Sequence, residues 1–341
     1  SLYMSRIFAA KVQKVYLCTK IVFMMNDNPF IENLKQSTGM RIFLYLIILL
    51  ISSLIGVALT AALMFAGDLG LKLGQGISSV MMFVVPPIVY YFITRKAHQM
   101  QDLGFRKVLS PWLLLVGAAL MFVSLPVTDQ LGLWNENMHL DGALQSLEDL
   151  MKNLEESAAE VTERMLNVDT IGGLLLNLLV IALIPAVGEE LTFRGVLQQA
   201  LTRKMNPHVA IILSAAIFSF IHVQFYGFLP RMFLGLLLGY LFYISGSLWT
   251  SILMHFVNNG TAVVLYYLNN KGIIDVDVDH IGAMSLAYVA LSAVATVAII
   301  VLCWRKSEKL VQEDEGHQRL DAVEDHDGAG RPLTEDPQRP L

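Results

Sequence analysis

Ile171–Thr202 reads IGGLLLNLLVIALIPAVGEELTFRGVLQQALT. It is free of charge up to Gly188, then carries Glu189, Glu190 and Arg194 inside an otherwise apolar run. A bilayer core of about 30 Å asks for roughly 20 apolar residues on a helix, and this stretch exceeds that. An ionisable group within a span costs about 2.5–3.5 kcal/mol on insertion scales. Three of them in succession therefore mark a helix that spans a membrane and does more than span it.

Outward from this helix the chain keeps the same character. Of its 341 residues, 55% are hydrophobic and 16% charged, against about 25% charged in ordinary soluble domains. Apolar runs of spanning length fall at 41–66, 77–95, 111–131, 171–202, 207–226, 228–246, 248–268 and 283–304. The expected fold is all-α, a polytopic transmembrane helix bundle of about eight spans. Basic residues set the orientation. Lys35, Arg41, Arg95, Lys96, Arg106, Lys107, Arg203, Lys204, Arg305, Lys306 and Lys309 all fall on one side if both termini are cytoplasmic. The opposite loops hold Lys72, Lys152, Arg164, Arg231 and Lys271.

One segment outside the spans is patterned. Leu140, Leu144, Leu147, Leu150, Leu154, Ala158, Val161, Met165 and Val168 recur at three- and four-residue steps, with Glu148, Asp149, Glu155, Glu156 and Glu163 between them. This predicts one extramembrane amphipathic helix over 140–168, on the non-cytoplasmic side. It would rest on the rest of the protein or the interface, or cover a site. The formal net charge is -5, with the acid gathered in 129–163 and after Glu308. That gives no electrostatic case for a nucleic-acid partner. Cys18 and Cys303 are the two cysteines, too far apart in sequence to suggest a disulfide framework or a zinc ribbon.

The ionisable cluster extends from residue 189 to 259. On a helix, Glu190 and Arg194 are four apart and share a face, so they can pair. Glu189 points about 100° away and has no such local partner. Further on come Phe218-Ser219-Phe220-Ile221-His222 and His255-Phe256-Val257-Asn258-Asn259, each histidine alone on an apolar helix. His255 and Asn259 are four apart and project together. At 1.5 Å per residue from the cytoplasmic ends, Glu189 and His222 lie roughly 20 Å deep, and His255 and Asn259 roughly 10–20 Å. The four can meet inside the bilayer.

Glu189-Glu190-x-x-x-Arg194, Phe218-x-x-x-His222 and His255-x-x-x-Asn259, in that order on successive apolar helices, resemble the CPBP family. These are CAAX-protease and bacteriocin-processing (Abi) intramembrane endopeptidases. The resemblance covers about 170–270. It implies hydrolysis of peptide bonds in membrane-associated proteins or peptides, of CAAX type or in leader processing. Glu189 with His222 would activate a water, and His255 with Asn259 would stabilise the oxyanion. Glu190, Arg194 and Phe218 would support them. The family's metalloprotease label raises a zinc site with Glu189, His222 and His255 as ligands and an open fourth position. A metal-free glutamate mechanism stands beside it.

The expected organisation follows. Residues 1–24 form an extension, since Met24-Met25-Asn26-Asp27-Asn28 looks like a natural beginning. Residues 25–170 hold the first spans and the amphipathic helix, 171–304 the catalytic transmembrane core, and 305–341 a disordered acidic cytoplasmic tail. Two other readings compete: a proton- or ion-coupled transporter, in which the same groups line a path, and a non-catalytic membrane scaffold. Pro86-Pro87 and Pro185 are the helix breaks a transporter would use, but no internal repeat accompanies them.

Overall fold

The computed structural model describes residues 38–94, 103–105, 111–140 and 142–328. The extension at 1–24 lies outside the described residues. Among the described residues the structure is helical and contains no strand. The chain runs through α1 (Thr38–Leu63), α2 (Gly67–Ser79), α3 (Val85–Thr94), α4 (Pro111–Val123), α5 (Leu125–Glu136) and α6 (Gln145–Leu166). It continues through α7 (Ile171–Asn177), α8 (Ile184–Glu190), α9 (Gln199–Thr202), α10 (Pro207–Phe220), α11 (Phe228–Ser245), α12 (Leu248–Asn270) and α13 (Leu286–Gly328).

The stretch Met40–Ile93 is apolar throughout but folds back on itself at Gly67, whose φ of 65° is open to a residue without a Cβ. Tyr45 meets Tyr90 edge to face at 5.4 Å. Thr60 Oγ1 donates to the Gly74 carbonyl at 2.8 Å, so the two arms run antiparallel. The segments α7, α8 and α9 join through π turns into one rod, Ile171–Thr202, of 32 residues. At 1.5 Å per residue it is about 48 Å long, more than a bilayer core.

By length and apolarity four helices can cross a membrane, and five if α4 and α5, bent by 40°, count as one span. The count of about eight is therefore not reached on that criterion, although helices do occupy each of the eight stretches. One reason is that Met40–Ile93 counts once for two arms. Another is that α10 has only 14 residues. In addition, α12 carries Ser251, His255, Asn258 and Asn259 within its length. At the other end, α13 continues beyond its membrane stretch Leu286–Ser307 to Gly328. Helix thus occupies part of the stretch expected as a disordered tail. The Glu, Lys, Gln, Leu and Ala there are strong helix formers.

The rod is locked to α11 by a polar ladder. Arg194 Nη2 donates to the Gly235 carbonyl at 2.8 Å, and Gln198 Nε2 donates to the Gly239 carbonyl at 2.9 Å. The two donors and the two acceptors are each one turn apart. The glycines make the approach possible: a Cβ on Gly239 would stand 2.9 Å from Gln198 Oε1 and from Ile211. Small residues at such crossings, with side-chain hydrogen bonds between helices, hold helices together where water offers no hydrophobic drive. The amphipathic helix forms as α6. Its end is tied to the bundle by Asn177 and Asn270, which donate to the carbonyls of Met165 and Leu166 at 2.8 and 2.9 Å.

Candidate active site

The acidic pair sits on α8, a seven-residue α segment between two π turns, Leu178–Leu183 and Leu191–Gln198. Such turns recur at functional sites because the extra residue re-aims the side chains that follow. Glu190 and Arg194 are wholly buried, and Arg194 Nη1 donates to Glu190 Oε1 at 2.6 Å. The guanidinium also lies 5.1 Å from the centre of the Phe218 ring, a cation–π contact. Glu189, also buried, accepts no hydrogen bond from a protein donor among the described residues.

His255 reaches both glutamates. Its Nδ1 stands 2.9 Å from Glu190 Oε1, and its Nε2 stands 3.8 Å from Glu189 Oε2. With Glu190 ionised against Arg194, Nδ1 must be the donor, so Nε2 carries a proton only when the ring is an imidazolium. His222 is fixed in a similar way: its Nδ1 donates to the Phe218 carbonyl at 2.8 Å, which leaves Nε2 as an acceptor. The Phe218 ring packs edge-on against both imidazoles, at 5.1 Å from His222 and 6.0 Å from His255. Asn259 Oδ1 accepts from Asn258 Nδ2 at 3.2 Å, so the Asn259 Nδ2 remains its donor for a ligand.

These side chains come together. Glu189, Phe218, His222, His255 and Asn259 line one cavity of about 580 Å³, within the size range of small-ligand sites. The three motifs, distant in sequence, thus share one cavity. Glu190 engages His255 Nδ1 and so leaves Nε2 as the nitrogen that faces Glu189. Among the described residues, no three His, Cys, Asp or Glu side chains gather to hold an ion.

Residues 171–261 match the family described as Rce1-like, type II CAAX prenyl endopeptidase Rce1-like. This stretch belongs to the CPBP family. The CPBP core begins with the rod and ends just past Asn259, so it holds every residue of the three motifs. The match supports a peptidase, and with several long apolar helices an integral membrane one. No curated protein and no solved structure matches the chain.

The structure also places residues that the sequence did not single out. His222 is not on a helix: α10 ends at Phe220 and the chain turns through His222 and Val223. Val223 takes φ of 55°, a costly conformation for a β-branched residue, of the kind that persists at functional turns. Arg231, counted above among loop charges, lies on α11 and lines the cavity, as do Gln224 and Asn258. Its signal was visible: a lone arginine in an apolar run is an intramembrane ion. Helix α6 contributes Ala158, Val161, Thr162 and Met165 to the same lining, so it covers the cavity as well as resting on the bundle.

Proposed function

We propose that this protein is an intramembrane endopeptidase that cleaves membrane-associated substrates of CAAX type, with Glu189 as general base. The observation that supports this most is the shared cavity, in which a carboxylate that accepts no protein hydrogen bond faces two imidazoles and a carboxamide. Glu189 takes a proton from water, and the water oxygen attacks the scissile carbonyl carbon. His222, with Nδ1 held by Phe218, offers Nε2 to hold that water in place. The carbonyl oxygen becomes an oxyanion between Asn259 Nδ2 and the Nε2–H of a protonated His255. As the C–N bond breaks, the proton taken by Glu189 passes to the leaving amine. Glu190 and Arg194 do not react; they hold the rod and fix the His255 ring.

The reaction is written without a metal because, among the described residues, the three candidate ligands do not gather to hold an ion. Purified protein in lipid nanodiscs, given a fluorogenic prenylated peptide, tests the whole reading. Cleavage should occur, vanish in Glu189→Gln and survive chelators. One bound zinc per chain, absent from His222→Ala but retained by Asn259→Ala, would replace this mechanism with a zinc one. Ion flux without cleavage would establish the transporter instead.

A further inference from the structure

The cavity contains a cation that the hydrolysis above does not use. Arg231 lies in the first turn of α11, partly buried, and lines the volume that holds Glu189 and His222. Other cations near the site are matched by carboxylates: Arg194 by Glu190, Lys152 by Glu148 and Arg164 by Asp68. Arg231 is not. Its Nη1 donates to the Gln224 carbonyl and its Nη2 to Gln224 Oε1, each at 3.1 Å. Among the described residues no carboxylate stands within ion-pairing distance of it.

The guanidinium is also held in place. It lies over Gly227, where an added Cβ would be 2.8 Å from the Arg231 Cζ. Gly227 thus leaves the space the guanidinium fills, and Gln224 fixes its plane. An arginine kept rigid by neutral groups in a substrate-sized cavity presents a planar fork of donors suited to a carboxylate. Glu155 and Glu189 act on its charge only from beyond ion-pairing distance, so its donors remain open to a carboxylate that a substrate brings into the cavity.

We propose that Arg231 selects substrates by binding a carboxylate of the peptide inside the catalytic cavity, with Gln224 and Gly227 as its positioning residues. The carboxylate is a free C-terminus or an acidic side chain near the scissile bond. This deepens the proteolytic reading and rests on it for the word substrate, but binding can be measured apart from cleavage.

The test is equilibrium dialysis of the full-length protein in nanodiscs against three tripeptides: trileucine acid, trileucine amide, and an amide with glutamate at its centre. A hydrogen-bonded charge pair predicts at least about tenfold tighter binding of a carboxylate-bearing peptide than of trileucine amide. Preference for trileucine acid assigns the C-terminus; preference for the glutamate peptide assigns a side chain. Arg231→Gln should abolish the preference while leaving amide binding unchanged, and Arg231→Lys should retain part of it. Gly227→Ala should weaken it by displacing the guanidinium. Equal binding of all three by the wild type overturns the proposal. So does an equal loss for acid and amide in Arg231→Gln, which would make Arg231 a counter-charge for Glu189. Carboxylate-selective binding without cleavage of any peptide would leave the Arg231 site standing and sink the protease reading.

Discussion

Glu189 and Glu190 are neighbours in sequence but opposite in circumstance. Glu190 is surrounded by donors, Arg194 Nη1 and His255 Nδ1, whereas Glu189 faces the cavity. Arg194→Ala should therefore leave Glu190 as a buried charge with one donor, a loss of about 3–5 kcal/mol, read as a lower thermal midpoint or yield. Glu189→Gln should keep the wild-type midpoint and lose cleavage; equal folding defects in both would contradict this division. The oxyanion donors are unequal too. Asn259→Ala should lower kcat about 10²–10³-fold with the fold intact, as for a removed oxyanion donor. His255→Ala should lower both kcat and stability, because it also takes a donor from Glu190. The four-residue spacing made the Glu190–Arg194 pair and the common face of His255 and Asn259 legible in the sequence. The His255–Glu190 bond joins residues 65 apart, and no local periodicity reports a contact of that range.

At the scale of elements, α6 was legible from its period, but its function at the cavity was not, because the lining depends on where the helix docks. Its docking is polar at one end and tied to the bundle at the other. Near its start, Glu148 accepts from Lys152 Nζ at 2.7 Å and from the Leu140 N–H at 2.8 Å, stands 3.2 Å from His139 Nδ1, and is tied to the bundle by the Tyr226 hydroxyl, which donates to it at 3.4 Å. The Lys152 hydrogen bond first, then those of Leu140 and His139, pull the Glu148 carboxyl down to about 2. The lowered value fixes the sign of the pH effect. This anchoring is fully present above the ordinary carboxylate range, around pH 4.5, and is lost as the pH falls through about 2. A spin label at exposed Glu156 should show α6 becoming more mobile between those limits. Glu148→Gln should show that mobility already at pH 6, and a variant indistinguishable from wild type across the range would remove Glu148 as the anchor.

For the whole molecule, the sequence showed an all-helical membrane protein and the positions of its helices. The length-and-apolarity criterion finds four or five spans where the sequence reading placed about eight, because Met40–Ile93 counts once for two arms, α10 is short and α12 carries polar residues. Orientation still has to be joined to the site. Basic residues gather at 95–107, 203–204 and 305–309, which favours the cytoplasmic side for those connections and for both termini. Helix α6 lies between α5 and the rod, in a connection with few basic residues, and lines the cavity with Thr162 and Met165. On that orientation we propose that the approach to Glu189 lies on the non-cytoplasmic face. A background with Cys18→Ser and Cys303→Ala, carrying single cysteines, tests this with a membrane-impermeant maleimide on intact cells. Glu156→Cys should label from outside, and Lys309→Cys only after permeabilisation. Thr162→Cys should label from the Glu156 side, more slowly because it lines the cavity, and a bound substrate peptide should protect it. Labelling of Glu156→Cys and Lys309→Cys from the same side would overturn the orientation. Labelling of Thr162→Cys without protection by the peptide would instead place the substrate's path elsewhere in the bundle.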